Sequence, residues 1–113
     1  MRCDRKTMRL YAVTDRAWVG QGTLGDQVEQ ALRGGVTCVQ LREKSLGVPA
    51  ILVEAEEIGA LCRSYGVPFL INDRVEIALQ CGADGVHVGQ EDLEASLARE
   101  RLGPGKLIGV SAT

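Results

Sequence analysis

The sequence predicts an α/β fold of the (β/α)8 barrel type, with about the first five βα units present. Short apolar segments rich in β-branched residues alternate with amphipathic segments along the 113 residues. The predicted strands are apolar at consecutive positions, as in parallel sheets covered by helices. A complete barrel needs roughly 200 to 250 residues and eight units. We therefore expect residues 10–113 to form the N-terminal portion of such a domain, behind a leader at residues 1–9.

The first unit begins with a strand over Leu10–Thr14 and continues, after a glycine-rich loop, into a helix. Gly34 and Gly35 end this helix, since glycine is common just past a helix C-terminus. The apolar stripe of the helix consists of Leu24, Val28, Ala31 and Leu32.

The second unit has a strand over Cys38–Leu41 and a helix that opens near Pro49, a residue tolerated in the first helical turn. The helix is expected to run through Tyr65 and to end at Gly66. Its predicted apolar stripe consists of Leu52, Ala55, Ile58 and Cys62.

Three further strands are predicted, over Val67–Ile71, Gly85–Val88 and Leu107–Val110. The helix after the third strand carries the apolar residues Val75, Ile77, Ala78 and Cys81, and the helix after the fourth strand carries Leu93, Leu97 and Leu102. Five βα units also suit a doubly wound, flavodoxin-like sheet. Periodicity alone leaves both architectures open.

Charge and cysteine patterns narrow the class of protein. Thirteen basic and fifteen acidic residues are interspersed, with a net charge of −2, so we expect no nucleic-acid partner. The charged start and the interrupted apolar runs predict neither a secretory signal nor a membrane span. Cys3, Cys38, Cys62 and Cys81 form no C-x-x-C pair, which favours free thiols in a reducing cytoplasm over a zinc site.

Polar residues follow each predicted strand, at the edge where parallel α/β proteins bind ligands. They are Asp15, the stretch Gln40 to Lys44, Asn72, Asp73, the stretch Gln90 to Asp92, and Ser111. Mg²⁺ prefers one or two carboxylates together with phosphate oxygens and water, while Arg and Lys hold phosphate charge. Asp73 and Asp92 are therefore candidate metal ligands. Arg42 and Lys44 are a candidate anion clamp if the strand continues through them.

Five ordered segments in this chain resemble the successive motifs of thiamine-phosphate synthases. They are Tyr11–Asp15, Gly34–Lys44, Val67–Arg74, Gly82–Asp92 and Ile108–Ala112. The Gln-Leu-Arg-Glu-Lys and Val-Gly-Gln-Glu-Asp stretches within them are the most specific. The resemblance implies that the pyrimidine diphosphate is bound by Gln40, Leu41, Arg42, Glu43, Lys44, Asn72 and Ser111. It also implies that Asp73 and Asp92 bind Mg²⁺.

The family's reaction couples 4-amino-5-hydroxymethyl-2-methylpyrimidine diphosphate with 4-methyl-5-(2-phosphoethyl)thiazole to give thiamine phosphate and diphosphate. The resemblance therefore implies a cytoplasmic transferase that acts on small molecules and needs no protein nucleophile. Later family motifs, which supply a lysine and the thiazole-phosphate loops, have no counterpart in the sequence. Binding of the second substrate by this chain is left open.

The same residues fit several alternatives. Asp73, with Glu76 three residues later, also fits a helix N-cap, and so does Asp92. His87 is expected to be a buried, hydrogen-bonded side chain rather than a general base. A thiazole tautomerase is the nearest rival enzyme, although Asp92 and, more mildly, Lys44 argue against it. A half-barrel that only binds phosphate, or self-associates through its open edges, is the non-enzymatic alternative.

Overall fold

The computed structural model describes residues 9–14, 23–43, 47–89 and 92–110, with the backbone alone for residues 92–94. Strands and helices alternate through these ranges, as the sequence predicts. In chain order they are β1 (Tyr11–Val13), α1 (Leu24–Arg33), β2 (Cys38–Leu41), α2 (Val48–Ser64), β3 (Phe69–Asn72), α3 (Val75–Cys81), β4 (Gly85–Val88), α4 (Asp92–Leu102) and β5 (Leu107–Val110).

All five strands lie side by side in one parallel sheet, in the order β1-β2-β3-β4-β5. Each strand therefore pairs with the next one along the chain. In a flavodoxin-like sheet the first strand lies between the second and the third. The observed order excludes that alternative and is the order of successive strands in a (β/α)8 barrel.

The main hydrophobic core lies between the sheet and its helices. The strands contribute residues at alternate positions, so one face of the sheet meets the helices. These strand residues are Val39, Leu41, Phe69, Ile71, Val86 and Val88, and the helices pack Leu24, Val28, Leu32, Ile51, Ala55, Ile58, Ile77 and Ala98 against them. Full burial of a large aliphatic side chain stabilises the fold by roughly 1.5–3 kcal/mol. The opposite face of the sheet carries polar and aromatic side chains, including Gln40 and Asn72.

Helix α1 begins with a capping box formed by Thr23 and Asp26, which is not among the predicted features. The Thr23 hydroxyl oxygen accepts a hydrogen bond from the Asp26 N–H at 3.0 Å, and Asp26 accepts one from the Thr23 N–H at 3.3 Å. The helix ends as predicted, with Gly34 as the C-cap and Gly35 in the left-handed region at φ 102°. A side chain at Gly35 would be strained.

Helix α2 confirms Pro49 as a first-turn residue, but its most buried stripe differs from the prediction. Ile51 is 1% exposed and lies on the same face as Ala55, Ile58 and Cys62, whereas Leu52 is only partly buried at the edge of the core. Spacings of four, three and four residues keep one helical face in register. Both Ile51 and Leu52 fit the periodicity of the helix, and the angle at which α2 packs on the sheet makes Ile51 the buried one.

The apolar stripe predicted for α4 is wrong at Leu97, which is 50% exposed. The neighbouring Ala98 is the buried residue, at 1% exposure, and Leu102 is partly buried. Adjacent helical residues point about 100° apart, so turning Ala98 toward the sheet directs Leu97 outward. A small residue at this contact lets the helix lie close to the strands.

Two predicted strands have shifted bounds. Strand β1 is shorter than expected, and β3 begins at Phe69 and extends through Asn72. Pro68 has no N–H to donate to the sheet, although its carbonyl oxygen accepts a hydrogen bond from the Val39 N–H at 3.0 Å. The extension places Asn72 on a strand rather than in a loop. Within the described ranges, no helix has the length and apolar character needed to cross a membrane.

Candidate functional site

The carboxyl ends of the parallel strands meet at one edge of the sheet, here called the rim. Strand β2 ends at Leu41 and is followed by Arg42, while β3 ends at Asn72 and is followed by Asp73. Because β2 and β3 are direct neighbours, the polar residues that follow them lie on the same edge. The topology therefore places four predicted site residues together, namely Gln40, Arg42, Asn72 and Asp73.

Gln40 and Asn72 also share the face of the sheet opposite the helices, here called the inner face. The strand register pairs Gln40 with Val13 and Leu70, and Asn72 with His87. The Gln40 Nε2 group donates a hydrogen bond to the Tyr11 hydroxyl at 3.1 Å. The Asn72 Nδ2 group donates to Gln40 Oε1 at 2.9 Å. Three strands thus contribute to one connected chain of polar groups, here called the relay (Tyr11, Gln40 and Asn72).

The far end of the relay is a buried acceptor. Asn72 Oδ1 is inaccessible to solvent and has no hydrogen-bond partner within the described part of the chain. Leaving such an atom unpaired costs roughly 1–3 kcal/mol, and native structures rarely contain one without a reason. A ligand with a hydrogen-bond donor on the inner face would remove that cost.

Tyr11 and His87 form the aromatic part of the inner face. Their ring centroids are 6.4 Å apart and their planes make an angle of 82°, which is an edge-to-face arrangement. Gly109, on the neighbouring strand β5, makes room for the histidine: a Cβ added there would lie 2.5 Å from His87 Nδ1. His87 lies within β4 on the inner face, where it is partly buried and so less enclosed than the buried side chain that the sequence predicts.

Thr14 positions the start of the loop that follows β2. Its buried hydroxyl oxygen accepts a hydrogen bond from the Arg42 N–H at 2.9 Å, and its own N–H donates to the Gln40 carbonyl oxygen at 2.9 Å. The Arg42 side chain is exposed at the rim. Because β2 ends at Leu41, the strand alternation assumed for Arg42 and Lys44 does not reach them, and Lys44 lies outside the described residues.

The other two members of the 40–44 stretch are placed differently from Arg42. The Leu41 side chain is 1% exposed and belongs to the core beneath the helices, so its backbone is the part that faces the rim. Glu43 is also buried, at 9% exposure. Of this stretch, Gln40 and Arg42 have the placement expected of ligand-binding side chains.

Asp73 sits in a tight turn between β3 and α3. Its N–H donates to the His87 carbonyl oxygen at 2.8 Å, and its φ of 62° lies in the left-handed region. Aspartate and asparagine tolerate this conformation better than most residues. Helix α3 begins at Val75 with Arg74 at the N-cap and no side-chain cap bond, so Asp73 lies one residue before the cap. The helix-cap alternative for Asp73 is therefore not supported.

Asp73 is a candidate ligand for a hard divalent cation at the rim. Asp73 is exposed there, and Mg²⁺ needs only one or two carboxylates when phosphate oxygens and water complete its shell. Asp92 is the first residue of α4, but its side chain lies outside what is described, and so does Ser111. The described residues contain no cluster of three or more metal-ligating side chains. Structural zinc sites need such a cluster, whereas Mg²⁺ bound together with phosphate does not.

The thiol of Cys62 is part of the core rather than of the site. Burial raises the pKa of the Cys62 thiol to about 12, with a smaller contribution from the nearby Asp84 carboxylate. Burial likewise raises the pKa of Cys81 in α3. Thiols held in the protonated form are poor nucleophiles and poor metal ligands.

Sequence reasoning missed Tyr11 and Thr14 as individual site residues. Both lie in the quoted motif Tyr11–Asp15, and both are one strand away from residues that were predicted. Their place in the site depends on the β1–β2 register, which pairs Tyr11 with Cys38 and puts Tyr11 on the inner face with Gln40. Register between strands separated by a helix is not readable from one sequence.

Comparisons with known proteins agree with one another. A family model described as thiamine monophosphate synthase matches residues 10–113. The thiamine-phosphate synthases of Albidiferax ferrireducens and Campylobacter jejuni are each 48% identical, over 106 and 108 residues, which is 94% and 96% of this chain. The solved structure of thiamine phosphate pyrophosphorylase from Pyrococcus furiosus matches 96% of the chain with a TM-score of 0.85 and 34% identity. The chain spans about half the length of each of these proteins, namely 48%, 51% and 52%.

Proposed function

Because the chain belongs to the thiamine monophosphate synthase family, we propose that it forms the pyrimidine-diphosphate and magnesium side of a thiamine-phosphate synthase site. The observation that carries this proposal is the connection of the relay to the rim. Gln40 and Asn72 are hydrogen-bonded to each other. Asn72 is followed directly by Asp73, and Arg42 is the first residue after the end of the strand that carries Gln40.

The proposed roles follow from the charge of each group. The relay binds the pyrimidine on the inner face, and Arg42 with Lys44 holds the diphosphate, since a guanidinium can make two charge-assisted hydrogen bonds to phosphate. Asp73 and Asp92 would hold Mg²⁺, which neutralises leaving-group charge when it is bound. Asn72 and Ser111 complete the contacts with the diphosphate substrate.

In the proposed reaction the bond between the pyrimidine CH₂ carbon and the diphosphate oxygen breaks, and its electron pair leaves with diphosphate. The thiazole nitrogen supplies the electron pair of the new C–N bond. The protein contributes electrostatic stabilisation and alignment of the two substrates. The part of the family domain that this chain does not span would bind the thiazole phosphate. The partners are then small molecules, and the location is the cytoplasm.

Isothermal titration calorimetry with the pyrimidine diphosphate tests this assignment. We expect binding that requires Mg²⁺ and is weakened about 10- to 150-fold by Arg42→Ala, since a hydrogen bond to a charged group contributes roughly 1.5–3 kcal/mol. The matched control is Arg63→Ala, because Arg63 is exposed in the last turn of α2, at the opposite edge of the sheet.

Equal weakening by both arginine substitutions, or binding that is indifferent to Mg²⁺, would contradict the proposal. If the chain bound the thiazole phosphate more tightly than the pyrimidine diphosphate, the assignment of the thiazole phosphate to the rest of the family domain would be wrong. A separate titration of the unsubstituted chain with the thiazole phosphate, under the same conditions, measures this preference.

A further inference from the structure

We propose that Tyr11 is a positioning residue for the pyrimidine. Its hydroxyl holds the Gln40 amide, and through it the Asn72 amide, in the orientation that presents Asn72 Oδ1 to an amino group of the ligand. This inference rests on the proposed function of the site. It adds a residue from β1 to a set that otherwise comes from the later strands and the loops after them.

The relay is confined by its surroundings. Gln40 is 4% exposed, so solvent water has little access to replace a lost partner of its amide. The Gln40 Nε2–Tyr11 Oη distance is 3.1 Å and the Asn72 Nδ2–Gln40 Oε1 distance is 2.9 Å, both within the normal range for hydrogen bonds. The orientation of the Asn72 amide is therefore coupled to that of the Gln40 amide, and the Gln40 amide is held by its bond to the Tyr11 hydroxyl.

The relay also has a polarity. An amide group has a donor end and an acceptor end. Because Gln40 Nε2 donates to Tyr11, Gln40 Oε1 faces Asn72. Asn72 therefore pairs with it through its own donor, Nδ2. Asn72 Oδ1 is then the atom left over, in agreement with its buried and unpartnered position in the described structure. A tyrosine hydroxyl can donate or accept; here it accepts from Gln40, and this bond stabilises the arrangement in which Asn72 Oδ1 is the atom left for a ligand.

A buried carbonyl oxygen accepts hydrogen bonds and cannot donate them. The exocyclic amino group of a 4-aminopyrimidine has two N–H donors, whereas the oxo group of the corresponding 4-oxopyrimidine presents an acceptor in their place. Sites built to pair a polar group reject analogues that leave this group unpaired. The relay therefore predicts preference for the amino form over the oxo form by about 10- to 100-fold, the order expected when one buried polar group is left unpaired.

Tyr11→Phe is a clean way to test the hydroxyl. The phenylalanine ring can keep the edge-to-face contact with His87, so the change removes the hydrogen bond and little of the packing. The sequence offers a matched control, because its only other tyrosine is Tyr65, at the C-cap of α2 and 43% exposed. Tyr65→Phe makes the same chemical change away from the relay.

The first measurement needs no ligand. In ¹⁵N spectra of the 113-residue chain, Tyr11→Phe should shift the Gln40 side-chain amide and, through it, the Asn72 side-chain amide, while Tyr65→Phe should shift neither. Unchanged Gln40 and Asn72 resonances in Tyr11→Phe would overturn the relay. Loss of the folded backbone spectrum in Tyr11→Phe alone would also overturn the proposal, because the hydroxyl would then be structural.

The second measurement titrates each chain, in the presence of Mg²⁺, with 4-amino-2-methylpyrimidine-5-methyl diphosphate and with its 4-oxo counterpart. We expect the unsubstituted chain and Tyr65→Phe to prefer the amino compound, and the preference to fall at least fivefold in Tyr11→Phe. An unchanged preference in Tyr11→Phe would refute the role of Tyr11 and leave the proposed function intact. Failure of the unsubstituted chain to bind either compound would refute the proposed function, and the role of Tyr11 with it.

Discussion

Substitution of Gly85 by alanine should break the pairing of β4 with β5. Gly85 is buried at the start of β4 and pairs with Leu107. A Cβ at this position would overlap the Leu107 carbonyl oxygen and lie 2.6 Å from the carbonyl carbon. These are backbone atoms, so no side-chain rotation can relieve the overlap. Glycine within a strand often marks such a close approach of two backbones.

The expected loss of stability combines three contributions. Overpacking costs roughly 1–3 kcal/mol, and separation of the strands weakens ladder bonds such as that from the Leu107 N–H to the Asp84 carbonyl oxygen, each contributing about 0.5–1.5 kcal/mol. Alanine lowers the conformational entropy of the unfolded chain, which offsets about 0.4–1 kcal/mol of this loss in the free energy of unfolding. The net effect is a destabilisation of about 2–3 kcal/mol, which corresponds to a Tm lower by roughly 8–15 °C in a domain of this size.

Urea and thermal denaturation followed by circular dichroism would measure this loss, with Gly25→Ala as the control. A Cβ at Gly25, in the first turn of α1, would overlap only the carboxylate end of the Glu57 side chain, which can rotate away, and would lie in ordinary contact with the Thr23 hydroxyl oxygen at 3.6 Å. Alanine is favoured over glycine in helices by up to about 1 kcal/mol, so Gly25→Ala should be neutral or stabilising. Equal effects of the two substitutions, or a change below about 0.5 kcal/mol for Gly85→Ala, would refute the close approach of the two backbones.

Three further predictions concern the rim and the core. Asp73→Asn should leave the free energy of unfolding within about 0.5 kcal/mol of the parent, because asparagine also tolerates the left-handed region. It should nevertheless weaken Mg²⁺-dependent binding of the pyrimidine diphosphate at least tenfold, and retention of that binding in calorimetry would exclude Asp73 as a metal ligand. Thr14→Val removes the hydroxyl that accepts from the Arg42 N–H, so it should cost about 1–3 kcal/mol in urea denaturation and weaken diphosphate binding severalfold. An effect on stability alone would show that Thr14 does not position Arg42. The Cys62 thiol, whose pKa is raised from 9.0 to about 12, should resist iodoacetamide in the folded chain at pH 8 and react once urea unfolds it. Since the folded state holds this proton more tightly, the corresponding stability is present below pH 9 and is lost as the pH rises from 9 through 12. Alkylation of Cys62 at equal rates in folded and unfolded chains would contradict its burial.

Local patterns were sufficient to predict most elements of the fold. The strands β2, β4 and β5 have the predicted bounds, because each is a short apolar run enclosed by polar or glycine residues. The class of the fold follows from their alternation with helices. The polar residues after the strands could be assigned to one rim for the same reason, since parallel strands share the direction of their carboxyl ends.

The tertiary structure decided which side chains meet. Ile51 rather than Leu52 and Ala98 rather than Leu97 face the sheet, because the angle of approach of a helix selects among apolar residues that its periodicity treats alike. From the sequence, Asp73 fits a helix cap as well as a metal ligand. The structure places it outside the cap, because α3 begins at Val75 with Arg74 as the N-cap.

The amino-acid sequence by itself determined the order of strands and helices, the polar character of the rim and the resemblance to a family. The relay was decided only by the tertiary structure. Gln40 is 29 residues from Tyr11 and 32 from Asn72, so contact between them depends on the register of three strands joined by helices. Register is set by the packing of all the helices against the sheet at once, a collective property that no local segment encodes.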